Sequence, residues 1–147
     1  VMRRRLSALA LLAATAATAQ VQTSWFTEPG GVAVARDAAD QVLTATWDYN
    51  PAGDITVTKR NPAGAVLWQA KVDNTDSTRH EVATWVAADS AGNVLVSGTI
   101  RSGYSSPVNA NALLMKFGPD GALRWRRVYD SDFDGSSTMR VLVDPQD

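Results

Sequence analysis

Asp130-Ser131-Asp132-Phe133-Asp134-Gly135 sets three carboxylates at alternate positions ahead of a glycine. That spacing lets side-chain oxygens converge on a hard cation such as calcium. Val141 stands at the twelfth position, where a helix-loop-helix calcium site places its bidentate Glu, so the stretch reads first as a solvated loop between repeats. The corresponding stretch nearer the N-terminus, Asp73-Asn74-Thr75-Asp76, lacks the alternation. His80 is the only histidine, lies between Arg79 and Glu81, and has no cysteine anywhere in the chain to share a metal with. It is expected on the surface of a polar loop, because a histidine metal site needs partners.

Nucleophilic and glycosidic chemistry find no better support. There is no G-x-S-x-G elbow, and Ser90, Ser97 and Ser102 fall in turn, strand and loop contexts, so a triad would have to recruit His80 from elsewhere. Asp120-Gly121 followed by Trp125 approaches a sialidase-type Asp box, but there the glycine belongs two places after the aspartate, not one. Paired carboxylates for glycoside cleavage are recognised by their separation, which a sequence does not give. No catalytic, cofactor-binding or metal residue is therefore assigned, no cofactor is expected, and the chain is expected not to be an enzyme.

What positions these residues is a repeat. Val34-Ala35-Arg36-Asp37, Val86-Ala87-Ala88-Asp89 and Val141-Leu142-Val143-Asp144 are one motif at three places, with spacings of 52 and 55 residues, in the range of propellers and solenoids. A second block, Lys59 to Trp68 with Asn61-Pro62-Ala63-Gly64, matches Lys116 to Trp125 with Gly118-Pro119-Asp120-Gly121, at an offset of 57 that also carries Asp73 onto Asp130. The five extra residues fit an insertion around Ser102 to Asn109.

Within a repeat, β-prone runs alternate with turn chemistry. Val86 to Ala88, Asn93 to Thr99, Ala110 to Phe117 and Ala122 to Tyr129 are expected strands, separated by Asp89-Ser90-Ala91-Gly92, a longer loop, and Gly118-Pro119-Asp120-Gly121. Asp and Gly at such positions supply a side-chain acceptor and a positive φ, and proline pre-sets the turn. Four strands so joined form an antiparallel meander. Near-continuous apolar runs such as Ala112-Leu113-Leu114-Met115 predict strands covered on both faces, and no segment has the 3.6-residue period of a helix. The fold class is all-β: antiparallel four-stranded meanders forming about two blades of a truncated β-propeller.

Asp89 to Gly98, read as Asp-x-x-Gly-Asn-Val-Leu-Val-Ser-Gly, together with Leu114 to Gly121 and Trp125, resembles the bacterial extracellular β-propeller repeats of the SBBP type. The resemblance covers both repeats and implies a secreted or surface protein. The first repeat departs from the pattern, with Asp40 in place of Gly92 and Thr46 in place of Gly98. Gly64 to Trp68 and Gly121 to Trp125 are also similar to the Gly-x-x-x-Trp end of the tryptophan-docking motif of quinoprotein propellers, without its preceding Thr. That resemblance implies a tryptophan packed between adjacent blades. Trp68 and Trp125 are therefore expected in packing. Trp25, Trp47 and Trp85 are candidates for an exposed rim that contacts sugar or peptide, because tryptophan buries much area yet keeps a polar handle. Trp125-Arg126-Arg127 reads as a strand end alternating into solvent.

Arg3, Arg4 and Arg5 precede an apolar run and the small residues Ala17-Thr18-Ala19, the n-region, h-region and cleavage site of a secretory signal. The run is too short to span a bilayer, which takes roughly 20 residues, and no later segment is apolar enough. Removal of the three arginines leaves 11 Lys and Arg against 15 Asp and Glu, a net charge of −4, so no nucleic-acid partner is expected. With Cys absent, an exported chain must be stabilised by packing, not by disulfides.

The expected organisation is a signal peptide at 1–19, a lead-in at 20–30 able to supply a strand to a closing blade, repeats at 31–83 and 84–137, and the start of a third at 138–147. Because propellers close with four to eight blades, this length alone is expected to self-associate or to be poorly folded. The expected function is a non-catalytic binding or scaffold module, secreted, periplasmic or at the cell surface. Its expected partners are a protein, peptide or glycan ligand and the remaining blades of a longer chain. A propeller enzyme, either a quinoprotein-like dehydrogenase or a hydrolase, and a calcium-ordered adhesive protein are the alternatives.

Overall fold

The computed structural model describes residues 33–48, 53–72, 79–102, 110–129 and 140–144. The described residues contain eight strands: β1 (Ala33–Arg36), β2 (Val42–Trp47), β3 (Ile55–Arg60), β4 (Val66–Val72), β5 (Arg79–Ala88), β6 (Val94–Ser102), β7 (Asn111–Phe117) and β8 (Leu123–Tyr129). They form two antiparallel four-stranded sheets, β1-β2-β3-β4 and β5-β6-β7-β8, each in sequence order. Among the described residues there is no helix, and none long and apolar enough to cross a membrane.

Four hairpin turns share one geometry. In each, the first residue donates its N–H to the carbonyl four residues on, and the fourth donates back to the first: Asp37 with Gln41 and Asp40, Asn61 with Ala65 and Gly64, Asp89 with Asn93 and Gly92, Gly118 with Ala122 and Gly121. The fourth residue is left-handed every time, with φ of 59° at Asp40, 88° at Gly64, 78° at Gly92 and 83° at Gly121. This is the three-residue hairpin that closes on a left-handed bulge. Aspartate is one of the few side chains that tolerate that conformation, which is why Asp40 substitutes for glycine in the first repeat.

The sheets stack front to back. Strand register puts Leu43, Ala45, Ile55, Val57, Lys59 and Trp68 on one face of the first sheet, its front. Register in the second sheet puts Val86, Val94, Val96, Leu113, Met115 and Phe117 on its back. These two faces meet in a single buried cluster, and the innermost strands β1 and β2 both lie against β5. Burial of such area supplies most of the driving force, at about 25 cal/mol per Å².

β7 is not covered on both faces as its apolar run suggests. Leu113, Met115 and Phe117 are fully buried, whereas Ala112, Leu114 and Lys116, facing away from the first sheet, are half-buried. Gly98 answers to a break in β5. The register shifts between Ala83 and Trp85, and a Cβ at Gly98 would overlap the Val82 carbonyl oxygen. At the matching place in the first sheet, Thr46 is buried and its Oγ1 donates to the Thr56 carbonyl.

Candidate functional site

Three of the buried charged residues, Asp37, Lys59 and Asp89, sit at the tight-turn end. Asp37 begins the β1–β2 turn, and its Oδ1 accepts the amides of Ala39 and Gln41 at 2.9 Å each. Its Oδ2 lies 2.9 Å from Lys59 Nζ, with side chains only 5% and 6% exposed. The second sheet repeats the device: Asp89 accepts the Asn93 amide at 2.7 Å and pairs with Lys116 Nζ at 2.9 Å. Burial opposes ionisation of Asp37, but the Lys59 ammonium and the Gln41 and Ala39 amides outweigh it and hold the carboxyl below its usual value. Burial likewise opposes the Asp89 carboxylate, and Lys116 and Asn93 prevail. An ion pair kept this dry needs such extra hydrogen bonds to offset desolvation.

Two clefts lie between successive turns. One of about 200 Å³ separates the Asp37 turn and Lys59 from Ser90, Ala91 and Gly92. The other, of about 430 Å³, separates Asp89, Asn93 and Lys116 from Leu142, Val143 and Asp144. Asp144 matches Asp37 and Asp89 in the repeat, so the larger cleft lies between a complete sheet and the segment that begins the next motif. In the sequence the aspartates carry the signal of turn residues and the lysines carry none of their own. The recurrence of both at matching places was the available signal.

A polar seam occupies the other end. Asp48 Oδ1 accepts the Asp54 amide at 3.1 Å, and Lys71 Nζ bridges Asp54 at 2.6 Å and Asp48 at 3.6 Å. The hydrogen bond and charge of Asp54 raise the pKa of Lys71. The Gly53 carbonyl accepts the Glu81 amide at 2.9 Å and so joins this loop to the open edge of β5. Glu81 is fully buried and paired with Arg126. Arg126 is thus tied to the interior and is not a simple solvent-facing strand end.

His80 is corrected by the structure. It lies within β5 opposite Arg101 and is 6% exposed, with Gly53 pressed against it. β5 continues through polar residues because pairing with β6 on one edge and with the Gly53 carbonyl on the other satisfies its backbone. Ser97 is fully buried in β6 opposite Trp85. Four positions separate Ser97 from Arg101, the residue opposite His80, or about 13 Å along a strand, so serine and histidine are not brought together. Ser102 closes β6 and is not in a loop, and Ser90 lies in its turn.

Asp130, Asp132 and Asp134 lie outside the described residues, as do Trp25 and residues 1–32. Among the described residues no three His, Cys, Asp or Glu side chains group to hold a metal ion. Trp47 and Trp85 are half-buried, and the Arg140 guanidinium covers the Trp85 ring at 4.1 Å.

Trp68 joins the sheets. Its Nε1 donates to the Pro119 carbonyl at 2.9 Å, and its ring lies 6.3 Å from that of Phe117 with 27° between planes. A Cβ on Gly121 would stand 2.7 Å from the indole, so only glycine lets the turn approach so closely. Trp125 holds the same repeat position and is half-buried on the outermost strand. No protein-family model matches the chain, and comparison with curated proteins gives no match.

Proposed function

We propose that the two sheets are successive blades of an exported β-propeller scaffold, of the bacterial extracellular SBBP kind, whose role is binding and not catalysis. The observation that carries this reading is Trp68, seated on the turn of the following sheet by a hydrogen bond and a ring-on-glycine contact. A contact made between consecutive repeats, by a residue that recurs, is how a stacked architecture propagates.

Two further facts support a binding role. The buried Asp37, Lys59 and Asp89 and the half-buried Lys116 are engaged with one another and with turn amides, an arrangement that stabilises turns. The longer connections between strands all leave from the end opposite those turns, and loops on a rigid scaffold are where recognition resides. The cationic and apolar leader with Ala17-Thr18-Ala19 supports export.

Expression of the whole chain in a bacterial host tests export: a secreted or periplasmic product beginning at Gln20 is expected, and an uncleaved cytoplasmic product contradicts it. Glycan and peptide arrays probed with that product test the role. Saturable binding without turnover is expected, whereas hydrolysis of a bound glycan or quinone-dependent oxidation of a substrate overturns the reading.

A further inference from the structure

The geometry points to a second binding surface, away from the loops: the far edge of β8 docks an extended acidic peptide as a fifth strand of the second sheet. β8 is the last strand of its sheet and pairs with β7 alone. Along its other edge, alternate backbone N–H and C=O groups face outward with no strand against them among the described residues. Ligands that bind by strand addition use such an edge. The two sheets meet face to face in one buried cluster, so this outer edge lies outside that contact.

The strands that end a sheet are not alike. β1 has only four residues, and the free edge of β5 is bonded to the Gly53 carbonyl through the Glu81 amide. β4 and β8 have seven residues each and hold the same place in their repeats. The one cation of β4, Lys71, is held by Asp54 and Asp48. Where β4 has Leu67, Gln69 and Ala70, β8 has Arg124, Arg126 and Arg127. Arg126 is turned to the buried Glu81. Arg124 pairs with Asp120 of its own turn, with side chains 52% and 61% exposed, a contact worth little in water that a ligand carboxylate can replace. Arg127 is exposed and makes no ion pair with a described residue.

Charge and register define the occupant. Trp125, Arg127 and Tyr129 share one face of β8, and Arg126 and Val128 the other. Val128 is 42% exposed and Tyr129 53%. On an added strand, the residue opposite Arg127 is a cross-strand neighbour, where unlike charges attract and like charges repel. Residues opposite Val128 and Tyr129 meet apolar surface. A strand that mixes acidic and apolar side chains satisfies both, whereas a second copy of β8 brings three arginines of its own and is refused. Arginine on an edge also discourages self-pairing, but that role leaves Val128 and Tyr129 exposed beside it without a use.

The test titrates the whole chain with two capped peptides as long as β8, one alternating Val and Glu, the other Val and Lys, and follows amide hydrogen exchange. The Val-Glu peptide is expected to bind saturably and to slow exchange along β8, and the Val-Lys peptide to do neither. Arg127→Ala is expected to weaken Val-Glu binding by up to about fivefold, the value of one cross-strand pair of unlike charge. Arg127→Lys should retain most of it, and Arg124→Glu/Arg127→Glu should transfer the preference to Val-Lys. Both arginines are exposed, so the fold is kept, which unchanged exchange in β6 verifies. Absence of binding, equal binding of the two peptides, or protection elsewhere than β8 overturns the inference. So does self-association of Arg127→Ala with Val-Glu binding intact, which would make the arginine an edge guard alone, or an Arg127-dependent preference for phosphatidylglycerol vesicles over the peptide. Failure of export or of glycan binding would count against the proposed function and leave these outcomes unchanged.

Discussion

Lys59 and Trp68 face each other across β3 and β4 on the front of the first sheet, and each reaches a different turn. Lys59 reaches back to Asp37 in its own repeat, and Trp68 reaches forward to Pro119 and Gly121 in the next. Lys116 and Trp125 face each other in the same way across β7 and β8. One cross-strand pair thus closes a sheet on itself and links it to its successor.

The Lys59–Asp37 pair is dry enough that removing one partner strands the other. Lys59→Met is expected to destabilise by about 3 kcal/mol, because an uncompensated buried carboxylate remains. Adding Asp37→Asn should recover much of that loss, since Asn retains an oxygen for the Ala39 and Gln41 amides. Urea unfolding midpoints of the two single variants and the double variant measure the coupling. Strict additivity contradicts a direct pair.

Trp68 and Trp125 share a repeat position but not a neighbour. Trp68→Ala is expected to cost about 2 to 3 kcal/mol, and Trp68→Phe about 1, the value of the lost N–H donor. Trp125→Ala is expected to cost distinctly less, as the front of its sheet is half-open. Equal losses at the two positions in thermal or urea unfolding would argue against the seat at Gly121.

Gly98 is expected to tolerate no side chain. A Cβ there meets the Val82 backbone, which cannot move without breaking the β5–β6 ladder, so Gly98→Ala should destabilise by about 3 kcal/mol, as overpacking does. Thr46→Ala, at the matching place in the first sheet, should cost under about 1 kcal/mol, near the value of the one hydrogen bond it loses. Comparable effects in the two variants would mean that β5 carries no bulge.

Asp37 and Asp89 titrate below the usual aspartate value of 3.8 in the folded chain. The unfolded chain therefore binds protons more readily, and stability rises with pH through this range. The contribution is complete above the unfolded value and is lost as pH falls through the lower folded values, so Tm should drop steeply below about pH 4. In Asp37→Asn/Asp89→Asn the acid-side slope should be shallower. An unchanged slope would assign acid sensitivity to other carboxylates.

The meanders, the four turns and the absence of helix among the described residues were legible because hairpins are local: the signal for Gly118 to Gly121 lies within the turn itself. Trp68 was legible through its recurrence, although the turn that receives it lies 51 residues away, whereas Trp125 is half-buried on the outermost strand. His80 was not legible, since a run of Arg, His and Glu carries no strand signal and is held in β5 by Gly53 and Arg101, partners distant in sequence. The Asp37–Lys59 and Asp89–Lys116 pairs were half-legible: position recurs, but burial is decided by the sheets that close around them. The carboxylates of Asp130, Asp132 and Asp134 fall outside the described residues.

The most direct measurement of the central claim, that matching segments form equivalent sheets linked through Trp68, is the NMR resonance of the Gly121 α-protons. With the indole lying on that glycine, they should be shifted upfield by ring current, show cross-relaxation to Trp68, and return to ordinary values in Trp68→Leu. Unshifted Gly121 α-protons with no contact to Trp68 would contradict the account.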